Sequence, residues 1–171
     1  MAWTDAISDI VSRYAAGAGG AASAPADPHE DYRTIARSAS PQQITDALSD
    51  AFRSDQTPSS PDMVSGLFRE STPEQRAGLL GHLLSAIGPG ALANMPGLTE
   101  LAGSGESGVT PRQASRISED QVQQAAVQAQ RANPSIIDRV SAFYAQHPDA
   151  VKGLGAAAIT IAIQSIGRRQ P

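Results

Sequence analysis

Apolar residues recur along this chain at helical spacing. After Pro41 they are Ile44, Leu48 and Phe52, with Ala47 and Ala51 alongside. After Pro61 come Met63, Val64, Leu67 and Phe68, and after Pro73 come Ala77, Leu80, Leu84 and Ile87, widened by Leu79 and Leu83. Val122, Ala125, Ala126, Ala129 and Ala132 follow Ser118, and Ile136, Ile137, Val140, Phe143 and Tyr144 follow Pro134. Such i, i+3, i+4, i+7 patterns gather apolar side chains on one face of a helix. No stretch alternates apolar and polar residues long enough to predict a strand. The pattern predicts an all-α fold, a multi-helix bundle.

The helix starts are marked locally. Ser40-Pro41, Ser60-Pro61, Thr72-Pro73, Thr110-Pro111 and Asn133-Pro134 each set a capping side chain before a proline. The oxygen of Ser, Thr or Asn accepts a bond from a free N–H of the first turn, and proline suits the first helical position, where an N–H would go unpaired. Ser118 with Gln121 three residues later predicts a capping box. His147-Pro148 predicts a break, because proline disfavours helix in the residue before it.

Both ends of the chain carry unusual helices. Near the N-terminus, Trp3, Ile7, Ile10, Val11 and Tyr14 fall on one stripe, with Asp5, Asp9, Ser12 and Arg13 outside it. This amphipathic helix is followed by residues 15–26 (AAGAGGAASAPA), small residues with nothing to bury, which predict a flexible tether. A helix that cannot bury its stripe alone must dock on its own bundle, on a second copy or on another protein. Near the C-terminus, one continuous helix is predicted from Ala150 to Ile166, apolar almost all round through Val151, Leu154, Ile159, Ile161, Ile163 and Ile166. Such a helix is either the centre of a bundle or a subunit contact, and Gly153 and Gly155 let another backbone approach it.

These features divide the chain into residues 1–27, an amphipathic helix with its Ala/Gly-rich linker, and residues 28–171, a helical bundle. Within the bundle, a Gly/Ser loop at 103–109 separates an acidic part, 28–102, from a basic part, 110–171. Residues 1–107 hold 6 basic and 13 acidic side chains, and residues 108–171 hold 7 and 4. Opposite charge in the two parts predicts mutual attraction within one fold. The overall charge of −4 argues against nucleic-acid binding, which needs a basic surface.

Zero cysteine excludes a disulfide framework, a thiolate metal site and a cysteine nucleophile. Asp5 and Asp9 stand where a secretion signal would be positive and then apolar, so a cytoplasmic protein is expected. The apolar stretch 153–163 is about half the length of a membrane-spanning helix, so a membrane role is not expected. Gly103, Gly105 and Gly108 match a dinucleotide-binding pattern in letters only. No strand precedes them to build the phosphate turn, and they predict a linker. No zinc-protease, nucleophile-elbow or P-loop spacing is present. Of His29, His82 and His147, His82 lies inside the most apolar helix and is the one candidate for acid–base chemistry. A packed histidine is the simpler account of it. No cofactor and no metal are expected.

A family resemblance follows from two blocks. Residues 52–90 carry Met63-Val64-x-x-Leu67-Phe68, Gly78-Leu79-Leu80-x-x-Leu83-Leu84 and Gly88-Pro89-Gly90. Residues 117–163 carry Val122-Gln123-Gln124-Ala125, Asn133-Pro134-Ser135-Ile136, Val140-Ser141-x-Phe143-Tyr144-x-x-His147-Pro148 and Leu154-Gly155. Together they resemble the YidB-like group of uncharacterised bacterial proteins over about half of the chain. The resemblance implies a compact helical bundle and brings no catalytic residues.

The resulting expectation is a non-enzymatic bacterial structural or interaction protein. It self-associates as a homo-oligomer, or acts as an adaptor, with residues 3–14 docking on a larger protein assembly or shell. The expected contact residues are Trp3, Ile7, Ile10, Val11 and Tyr14 at one end and Leu154, Ile159, Ile161 and Ile163 at the other. The alternatives are a membrane-active helical protein and an enzyme centred on His82.

Overall fold

The computed structural model describes residues 5–16, 27–102 and 108–169. Trp3, most of the Ala/Gly-rich tether and most of the Gly/Ser loop lie outside the described residues. Those described form an all-α multi-helix bundle, with no strand among them. The helices are α1 (Asp5–Ala16), α2 (Pro28–Ala36), α3 (Pro41–Arg53), α4 (Ser60–Glu70), α5 (Pro73–Ile87), α6 (Pro89–Leu92), α7 (Thr99–Ala102), α8 (Pro111–Ala114), α9 (Glu119–Ala132), α10 (Ile136–Ala145) and α11 (Ala156–Arg168). A 3-10 turn, Ala150–Leu154, precedes α11.

The cap–proline signals mark real helix starts. Ser40, Thr72, Thr110 and Ser118 each close a full capping box with a glutamine three residues on. Two starts shift. Ser59, not Ser60, accepts from Asp62 N, while the Ser60 hydroxyl donates to Phe52 O (2.9 Å) and ties the α3–α4 connection. Asn133 ends α9, its Oδ1 accepts from Ser135 N (3.1 Å), and α10 begins at Ile136. His147-Pro148 does separate α10 from the next turn.

The continuous C-terminal helix expected over Ala150–Ile166 is not formed. Gly155 takes φ +84, ψ 161, and splits the segment into the 3-10 turn and α11. Only glycine occupies that region without strain. The break lets the turn approach α4. Gly153 lies backbone to backbone against Gly66, and a Cβ on either would overlap the other's carbonyl oxygen.

The two parts of the bundle interleave. α3 packs on α10 and α11, α4 on α9 and the 3-10 turn, and α5 on α8, α9 and α10. Buried alanines make this close packing available: Ala47 and Ala51 on α3, Ala125 and Ala129 on α9, Ala158 and Ala162 on α11. One hydrophobic cluster runs through all of these elements. Within it, the Tyr144 hydroxyl lies 2.8 Å from Ser71 Oγ. Ser71 spends its only proton on Leu67 O (2.6 Å), so Tyr144 is the donor.

Opposite net charge does not explain the docking of the two parts. Lys152–Glu70 (3.1 Å) and Arg169 with Asp46 and Asp50 (both 2.8 Å) pair basic-part cations with acidic-part carboxylates. Arg33–Asp149 (3.0 Å), Arg53–Asp138 (2.9 Å) and Arg69–Glu119 (3.8 Å) run the other way. The match is made pair by pair. Most of these side chains are substantially exposed, so each pair contributes little to stability.

Candidate interaction site

α1 carries Asp5 in its first turn and Arg13 in its last, the charge order that suits the helix dipole. Ile7, Ile10 and Tyr14 are buried and Val11 is half-buried, while Asp5, Asp9, Ser12 and Arg13 face solvent. The described part of the predicted stripe, Ile7, Ile10, Val11 and Tyr14, is therefore the inward face, and Trp3 lies outside the described residues. This face lies against α11, with a smaller contact to α2.

The seam is defined by three local contacts near the C-terminal end of α1. Val11 sits over Gly167, where a Cβ would overlap Val11 Cγ1. Gln164 Nε2 donates to Tyr14 O (3.0 Å), one of the last carbonyls of α1 that lacks a helical partner. Asp31 of α2 accepts from the Tyr14 hydroxyl (3.0 Å) and pairs with Arg13 (3.5 Å). Burial, then the bond to Asp31, push the Tyr14 phenol above its usual range, so it remains a donor. Beside this seam lies an open crevice of about 350 Å³, lined by Val11, Ala15, Gln164, Gly167 and Arg168.

The structure brings the two expected contact elements together within one chain. α11 is flanked by α1, α2, α3 and the 3-10 turn. Ile159 and Ile163 are fully buried on it, and Leu154 is buried in the turn before it. Ile161 is half-buried at the edge of the core. Ala156, Ala157 and Arg168 remain exposed, so the helix that reads as apolar all round has an outer side of small and polar residues. Gly167, Gln164 and Asp31 complete the seam and are not among the residues singled out by pattern. Nothing local distinguishes them, because each matters only through a residue more than a dozen positions away.

A second concave region, about 430 Å³, lies between the start of α2, the end of α4 and residues 148–152. Its two cations are committed: Arg33 to Asp149 and Lys152 to Glu70. The hydrogen-bonded Lys152 ammonium holds the Glu70 carboxyl below its ordinary value. Asp27 caps α2 by accepting from His29 N (2.9 Å) and Glu30 N (3.4 Å). His29 Nδ1 is buried with no hydrogen-bond partner among the described residues.

His82 packs edge-on against Phe143, with ring centroids 5.4 Å apart, and Phe143 also meets His147 at 4.8 Å. Burial first, and the Arg139 guanidinium second, hold the His82 imidazole below its ordinary value. Gly78 makes room for the Phe143 ring, which a Cβ there would strike. These neighbours account for His82 as a packed ring. No described group of His, Cys, Asp and Glu has the spacing of a metal site. No described helix is long and apolar enough to cross a membrane.

No protein-family model, curated protein or solved structure matches this chain. Within residues 52–90 and 117–163, Met63, Val64, Leu67, Phe68, Leu79, Leu80, Leu83, Leu84, Val122, Ile136, Val140 and Tyr144 are all buried.

Proposed function

We propose that this chain is a non-enzymatic interaction protein of the bacterial cytoplasm, allied to the YidB-like helical proteins. It works by association, with α1 as its contact element. α1 docks on α11 of its own chain, on α11 of a second copy, or on an apolar groove of a larger protein assembly. The observation that supports this reading is the seam itself. α1 buries Ile7, Ile10 and Tyr14 on one side only, against α11 and α2. Its contacts with the bundle are made chiefly to α11 and, less, to α2. Any second copy offers α1 the same glycine, glutamine and aspartate.

Light scattering after size exclusion, run on the intact chain and on Gly167→Val over a range of concentrations, tests the reading. The intact chain should gain mass as its concentration rises toward the millimolar range, and Gly167→Val should hold the monomer mass, because the new side chain occupies the place of Val11. A monomer of the intact chain at every concentration, together with no partner that Gly167→Val, its α1 released, recovers in greater amount than the intact chain, overturns the proposal.

A further inference from the structure

We infer that α1 is an autoinhibitory strap, latched at Asp31, that opens and closes as a unit while the rest of the bundle stays folded. The inference rests on the reading of α1 as the contact element and adds how that element is controlled. Its basis is the uneven construction of the seam. Among the described residues, every polar contact of α1 with the rest of the chain gathers at Arg13 and Tyr14, within its last turn: Tyr14 hydroxyl and Arg13 to Asp31, and Gln164 to Tyr14 O. The apolar contact next to them is Val11 on a bare glycine backbone. The crevice beside Val11 and Ala15 leaves part of the seam without the close packing found between α3 and α11. Loss of the latch therefore removes two of the last turn's three polar anchors at once, and what remains of the contact is the Gln164 bond and a partial apolar face.

While the strap is closed, Ile7, Ile10 and Tyr14 are hidden, and no second copy or other protein can use them. The affinity that α1 shows for any partner is then its intrinsic affinity reduced by the fraction of chains that are open. Asp31 sets that fraction. Among the described residues it alone holds both Arg13 and Tyr14, and it lies on α2, outside the α1–α11 contact that a partner would replace.

Hydrogen exchange read by mass spectrometry on the full chain tests this directly, with peptides from α3 and α9 as internal references. The α1 peptide should exchange well ahead of α3 and α9. Tyr14→Phe, which deletes only the hydroxyl bonded to Asp31, should speed α1 exchange roughly tenfold, the effect expected for losing a hydrogen bond to a charged group. Gly167→Val should remove α1 protection altogether and leave α9 unchanged. Exchange of α1 in step with α3 and α9, in all three proteins, would show that α1 leaves only when the whole chain unfolds and would overturn the inference. A response to Gly167→Val without one to Tyr14→Phe would overturn the latch at Asp31. If α1 opens as described but the intact chain gains no mass and recovers no partner, the proposed function fails and the strap stands.

Discussion

Thr72 accepts from Gln75 N (3.3 Å), and its own N–H donates to Gln75 Oε1 (3.0 Å), so two otherwise unpaired groups at the start of α5 are satisfied reciprocally. Thr72→Ala removes the acceptor and leaves the proline, and should cost about 0.5–2 kcal/mol in denaturant unfolding. An unchanged midpoint would mean that Pro73 and packing alone define the helix start. His82 carries a different residue-level effect. Its folded pKa lies below the ordinary histidine value of about 6.5, through burial and then Arg139. As pH falls, the unfolded chain therefore takes up this proton first, and stability drops from about pH 6.5 downward, toward the folded pKa. His82→Gln should shrink the difference in unfolding midpoint between about pH 7.5 and about pH 5. His29 and His147 remain in both proteins as common background. The same difference in the variant and the intact chain would remove His82 from the acid response.

α11 shows what a change inside an element reports. Ile163 is fully buried and Ile161 only half-buried, two positions apart on one helix. Ile163→Asp places an unpaired carboxylate in the core and should unfold the chain, since a buried charge without a partner is strongly destabilising. Ile161→Asp can turn its carboxylate toward solvent and should give a folded protein with an unchanged circular dichroism spectrum. Loss of the folded signal in Ile161→Asp would place that residue in the interior after all. Helix positions and buried faces were legible in the sequence because both are local: a cap, a proline and a 3.6-residue period specify them without reference to the rest of the chain. The stripe of α1 and the core residues of α3, α4 and α5 are the ones the period picks out. What stayed hidden depends on contacts between distant positions. Gly155 reads as one more small residue in an apolar run, and only the approach of Gly153 to Gly66 explains why the chain must turn there. Ser59 and Ser60 are equivalent as letters, and the bond from Ser60 to Phe52 O decides which of them caps α4. Among the seam residues, Asp31 resembles any acidic side chain in the first turn of a helix until Tyr14 is placed beside it.

At the scale of the molecule, α1 is the element whose docking is most open to choice. Ten residues, 17–26, join it to Asp27 and α2, and a connection this short presents α1 to its own α11 at an effective concentration on the order of mM. A second copy must compete with that, so exchange of α1 between chains at micromolar concentration is suppressed by the covalent link and not by any mismatch of surfaces. The prediction follows from shortening the link. With residues 18–24 deleted, Gly17, Pro25 and Ala26 leave a link of at most about 14 Å between Ala16 and Asp27, and this shorter link should hinder the return of α1 to its own α11. The seam residues Val11, Arg13, Tyr14, Asp31, Gln164 and Gly167 are all retained, so the most favourable place for α1 becomes the α11 of another chain, reached reciprocally. The deletion variant should therefore run as a dimer at about 10 µM, a concentration roughly a hundredfold below the effective concentration that holds the intact chain closed. Adding Gly167→Val to the deletion should return it to a monomer by blocking the seam in both copies. A monomeric deletion variant with rapid exchange throughout α1 would show that the seam is too weak to join two chains, and α1 would then need a groove other than that of α11.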